Sequence, residues 1–148
     1  MALDLAKYQR IFLEEAAEHL GEMSHALLEL EKQSGGAEAI DTIFRMAHSI
    51  KSMAASLGYD AVAELAHALE DRMQAVRGSG RVAGSAELSL LFRGLEGLER
   101  MVAIVRESGE PPPADAELCA ALSAPREAGP PAQASGRAEA SGKKVPRS

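Results

Sequence analysis

The chain has 148 residues with 16 Lys and Arg against 22 Asp and Glu, a net charge of −6, and only 3% aromatic side chains. The shortage of aromatics argues against a β-sandwich or barrel and removes stacking platforms for single-stranded nucleic acid, and the acidic balance argues against phosphate-backbone binding. A single cysteine, Cys119, excludes an internal disulfide framework and a multi-cysteine zinc site.

From the N-terminus, MALDLAKYQR lacks a basic region followed by a long apolar stretch, so no secretory signal is expected. The first helix is predicted over residues 3–32. Its apolar positions Tyr8, Phe12, Ala16, Leu20, Met23, Leu27 and Leu30 recur at three- and four-residue steps. Ser34-Gly35-Gly36 ends it, with Gly suited to the left-handed closing residue. His19 and His25 lie on this helix and read as partly buried surface residues.

The second helix is predicted over 38–57, with Ile40, Ile43, Ala47, Ile50, Ala54 and Leu57 on its stripe, and Gly58 closes it. The third covers 60–76 and carries Val62, Leu65, Ala66, Leu69, Met73 and Val76, with Asp60 placed to cap it. The fourth covers 85–107, with Leu88, Leu91, Phe92, Leu95, Leu98, Val102 and Val105. Three prolines at 111–113 cannot continue it, and a short fifth helix is predicted over 114–122. Met23, Met46, Met53, Met73 and Met101 read as core filler or its edge, and Cys119 as a packing residue.

The longest unbroken apolar runs are the five-residue stretches 101–105 and 118–122, far short of a membrane span. In residues 123–148, 17 of 26 are Ala, Pro, Gly or Ser, and Val145 is the only large aliphatic side chain. Such a segment cannot bury enough apolar surface to offset chain entropy. It reads as a flexible linker or tail, leading on to further protein. The tail carries five basic and two acidic residues, leaving 11 basic and 20 acidic ones in residues 1–122. The expected architecture is therefore all-α: an antiparallel up-down four-helix bundle over 1–122, with a short fifth helix and a tail over 123–148.

The polar residues beside the stripes carry the chemistry. His48 lies well off the centre of its stripe, flanked by the small residues Ser49, Ser52 and Ala55. Lys51 is one turn along from His48, and His67 and Glu70 stand in the same relation on the third helix. His48 is ten residues before Gly58, while His67 and Glu70 are nine and twelve after it. An antiparallel hairpin about Gly58 thus gathers His48, Lys51, His67 and Glu70. In such a cluster an imidazole can attack phosphorus. A carboxylate on its other nitrogen fixes the tautomer, and an ammonium can balance charge on a transferring phosphoryl group.

The stretch Phe44-Arg45-Met46-Ala47-His48-Ser49-Ile50-Lys51-Ser52-Met53-Ala54-Ala55-Ser56-Leu57-Gly58-Tyr59 resembles the histidine phosphotransfer (HPt) signature, and Leu65-Ala66-His67-Ala68-Leu69-Glu70-Asp71 extends the match. With Phe12-Leu13-Glu14-Glu15-Ala16 and Leu27-Leu28-Glu29-Leu30-Glu31, residues 5–122 are similar to the N-terminal HPt domains of CheA-type chemotaxis kinases. The resemblance implies that His48 accepts the γ-phosphoryl of ATP held by a separate kinase domain and donates it to an aspartate of a CheY-like or CheB-like response regulator. It further implies that Glu70 bonds the non-phosphorylated ring nitrogen, while Lys51 and His67 complete the polar network around the phosphoryl group. No cofactor or metal is expected on the chain, and no Gly-rich ATP loop is present. A cytoplasmic, monomeric module is expected, meeting membrane receptor arrays only through its full-length kinase. One departure stands out: Ser52 replaces the Gly that often follows the signature lysine.

Two other readings use the same residues. His48, His67 and Glu70 are acceptable ligand types for zinc or iron. Di-iron bundles, however, repeat Glu-x-x-His on two helices, whereas one helix here carries His67-x-x-Glu70 in reverse order. A bundle used only for interaction is the other reading.

Overall fold

The computed structural model describes residues 4–34 and 36–126. It contains helices α1 (Leu5–Glu31), α2 (Gly36–Ser56), α3 (Asp60–Ser79), α4 (Ser85–Ser108) and α5 (Ala116–Ser123), and no strand among the described residues. α1 packs on α2 and α4, and α3 packs on the same two, so four helices close into a ring; α5 covers α3 and α4. Bonds at the two ends fix the antiparallel order. Gln9, near the start of α1, donates to the Tyr59 hydroxyl before α3 (2.7 Å) and to the Gly109 carbonyl just beyond α4 (3.2 Å). At the other end Arg77, late in α3, faces Asp41, early in α2, at 3.7 Å. The expected up-down bundle with a short fifth helix is the fold observed.

The core is aliphatic. Met23, Ile43, Ile50, Leu65, Met73 and Leu98 are among its fully buried side chains. Phe12 is the one fully buried aromatic among the described residues and meets Tyr59 edge-on, with ring centroids 5.3 Å apart. Tyr8 departs from expectation: it is 53% exposed, beside exposed Leu5 and Ile11. Steps of four drift about 40° round a helix, so Tyr8 falls off the arc that Phe12, Ala16 and Met23 bury.

The turns also correct the sequence reading. α1 is closed by Gln33, not by a glycine: Gln33 has φ +61°, and Ser34 N–H reaches the Glu29 carbonyl at 2.8 Å. After α2, Gly58 takes φ +77° as expected, and Tyr59 N–H bonds the Ala54 carbonyl at 2.8 Å. This tight closure sets the α2–α3 register. Asp60 is the first residue of α3 rather than its cap, and Tyr59, at the capping position, makes no side-chain bond to the helix end. Asp60 still favours the helix start through its charge. Asp115 is a true cap, accepting from Leu118 N–H at 3.1 Å, so α5 starts two residues later than expected.

Ser123–Arg126 were assigned to the tail by composition. The Arg126 guanidinium nevertheless returns to the bundle, donating to Glu87 at 2.7 and 2.9 Å and to the Ala75 carbonyl at 2.9 Å. The remainder of the expected tail, residues 127–148, lies outside the described residues.

Candidate functional site

α2 turns Ile43, Ala47, Ile50 and Ala54 into the core. His48 follows Ala47, about 100° further round the helix, and its side chain is 56% exposed. On α3, Leu65, Ala66 and Leu69 point inward. Glu70 follows Leu69 at the rim of the core, with its side chain only 13% exposed. The register set at Gly58 brings these two rims together.

There the His48 Nδ1 lies 2.7 Å from Glu70 Oε2. Lys51, one turn along α2, places its Nζ 2.6 Å from Glu70 Oε1. Burial alone would raise the Glu70 carboxyl, but the bonds from Lys51 and His48 outweigh it and hold the group below the ordinary glutamate range. An ionised Glu70 can only accept, so Nδ1 is the protonated nitrogen. Nε2 keeps its lone pair, and among the described residues it has no hydrogen-bond partner. Around His48 the outward positions Ser52, Ala55 and Ser56 are exposed and small. A large partner can therefore approach the free nitrogen.

His67, the fourth residue expected here, is 59% exposed and faces Asp71 on its own helix, 3.6 Å away. Among the described residues it bonds to none of the other three. His25 is exposed beside Glu29 at 3.2 Å, in keeping with its bland reading. His19 is more involved than expected. Its side chain is 15% exposed, Nε2 lies 3.0 Å from the Ser49 hydroxyl, and its Nδ1 is buried without a partner. This α1–α2 contact sits next to His48 in sequence and follows from a packing register that periodicity does not supply. Among the described residues no three His, Cys, Asp or Glu side chains gather as a metal site. No described helix is long and apolar enough to cross a membrane.

The Hpt domain model matches residues 7–128. The chain is 36% identical over 108 residues to the chemotaxis protein CheA of Bacillus subtilis (strain 168), covering 73% of the chain and 16% of that protein. It is 34% identical over 103 residues to CheA of Halobacterium salinarum, covering 70% of the chain and 15% of that protein. The chain thus spans under a fifth of the length of these curated relatives. Its fold is similar to the phosphorylated P1 domain of CheA3 in complex with CheY6 from R. sphaeroides, with a TM-score of 0.71 at 23% identity, covering 78% of this chain and 92% of that one. A family match across almost all the described helices establishes that the chain belongs to the Hpt domain family.

Proposed function

We propose that this chain is the phosphotransfer module of a CheA-type histidine kinase, with His48 as phosphoacceptor. The single observation that carries the reading is the His48–Glu70 bond, which protonates Nδ1 and leaves Nε2 as a nucleophile open to solvent. A separate kinase domain presents ATP. The Nε2 lone pair attacks the γ-phosphorus, an N–P bond forms, and the bond to the bridging oxygen breaks with its electron pair leaving on ADP. The ring becomes cationic, keeps its Nδ1 proton, and is stabilised through that proton by the ionised Glu70. Lys51 acts through Glu70: its ammonium fixes the second carboxylate oxygen and so fixes the ring. His67, with Asp71, borders the site and belongs to the surface a partner meets.

The phosphoryl group then passes to an aspartate of a CheY-like or CheB-like response regulator. Attack by the aspartate oxygen forms an acyl phosphate and returns the electron pair of the N–P bond to Nε2. The fold neighbour bound to CheY6 supports a regulator as partner. We place the module in the cytoplasm, joined to receptor arrays through its kinase.

The test mixes the chain with ATP and the kinase core of a CheA relative and follows radiolabel. Base-stable, acid-labile label on the chain, abolished by His48→Gln, is the expected result. Label that persists in His48→Gln overturns the assignment of His48. No label from a core that phosphorylates its own HPt domain overturns the phosphotransfer reading.

A further inference from the structure

We propose that Arg45 is the cation that receives the phosphoryl group on His48, held by Asp41 until that group arrives. The inference rests on the phosphotransfer reading above. With Nδ1 held by Glu70, the phosphoryl group sits on Nε2. Lys51 is already committed to Glu70 at 2.6 Å, and His67 faces Asp71. A dianion therefore arrives on a domain with 20 acidic and 11 basic side chains in residues 1–122.

Helical side chains lean toward the N-terminus of their helix, so the His48 ring covers the preceding turn, and Arg45 is the residue three before it. Arg45 uses its Nε to donate to Asp41 Oδ2 at 2.8 Å. Its terminal nitrogens make no bond among the described residues. Asp41 is shared: its other oxygen lies 3.7 Å from Nε of Arg77, whose guanidinium stacks 4.5 Å above Phe44. Two guanidiniums on one carboxylate leave this corner with a surplus positive charge, with Arg45 one turn and Asp41 two turns before His48 on α2.

The Arg45–Asp41 pair is exposed, at 59% and 41%, and exposed pairs are weak. A phosphoryl dianion offers a doubly charged acceptor that matches the guanidinium fork. Arg45 exchanges one for the other, and Asp41 keeps Arg77. The bound cation favours the dianionic phosphoryl group over its monoprotonated form.

The test phosphorylates the full chain with ATP and a CheA kinase core, then follows the phosphohistidine 31P resonance through a pH titration. The charged groups flanking His48, namely Glu70, Asp71, His67 and Arg77 on α3, Asp41 and Lys51 on α2, and His19 and Glu15 on α1, stay constant among Arg45 variants. Arg45→Gln should raise the midpoint of the last phosphoryl proton by about half a pH unit. Arg45→Lys should restore most of it, and Asp41→Asn, which frees Arg45, should lower the midpoint. An unmoved midpoint in Arg45→Gln, or no rescue by lysine, overturns the proposal. Absence of any phosphohistidine resonance in the parent chain overturns the phosphotransfer reading instead.

Discussion

At the scale of single residues, Glu70 is the hinge of the site because each of its carboxylate oxygens has a different task. One orients the His48 ring and the other takes the Lys51 ammonium. Glu70→Gln keeps the shape but removes the charge that stabilises a cationic ring. Phosphorylation by a CheA core should slow about tenfold or more, by analogy with the loss of a carboxylate behind a metal-bound histidine. The folded pKa of Glu70 lies below its unfolded value. Its contribution to stability is therefore present above the ordinary glutamate pKa of about 4.3 and is lost as pH falls through the lower folded value. Glu70 is ionised at neutral pH, and the loss should be seen there. An unchanged rate at neutral pH counts against this role. His48, Lys51 and Glu70 were legible as a group because three-residue spacing and symmetry about Gly58 suffice to bring them together. His67 escaped the same logic because it meets Asp71, four residues on, within its own helix, a contact that symmetry about Gly58 does not weigh. The His19–Ser49 bond needs the α1–α2 register, and no symmetry of the sequence supplies it.

At the scale of helices, stripes were legible and helix–helix distances were not. Periodicity assigns all five helices, yet it gives no reason for glycines within α4. The structure does. A Cβ at Gly97 would lie 2.9 Å from Leu65 Cδ2 and 3.4 Å from Leu118 Cδ2. One at Gly94 would lie 3.3 Å from Leu69 Cδ1 and 3.4 Å from Leu122 Cδ1. These glycines let α3 and α5 approach α4 closely. Alanine gains about 1 kcal/mol of helix propensity over glycine, and overpacking a core costs about 1–3 kcal/mol. At Gly94 the two effects nearly cancel. At Gly97 the contact is closer and Leu65 is only 1% exposed, so it has little room to yield. Gly97→Ala should destabilise by about 1 kcal/mol net, lowering Tm by about 4 °C. A thermal melt showing Gly97→Ala as stable as the parent would remove the close-packing explanation.

At the scale of the whole molecule, one ion cluster ties four separate segments together. Arg72 on α3, 7% exposed, donates to the carbonyls of Ala121, Leu122 and Ala124 at 2.8–3.0 Å, satisfying the end of α5, and to Glu87 at 2.9 Å. Glu87, in the first turn of α4, also accepts from Ala83 N–H at 2.7 Å and from Arg126. The sequence hides this cluster because its members lie 15 and 39 residues apart and each reads alone as a solvated charge. Burial pushes the Glu87 carboxyl up, but Arg126, the Ala83 N–H and Arg72 together hold it below the usual range. By the same sign argument its stabilisation is present above the unfolded pKa and is lost as acid protonates the folded group. Glu87→Gln leaves two guanidiniums crowded together without their anion, a loss of about 3–5 kcal/mol for a broken buried pair. Urea unfolding at neutral pH should show that loss as a lower midpoint, and the variant should lose less further stability than the parent as pH drops. Arg126→Ala removes a partner that is 18% exposed and should cost less than Glu87→Gln. Equal midpoints for parent and Glu87→Gln would mean that the anion between Arg72 and Arg126 adds nothing to the stability of the bundle.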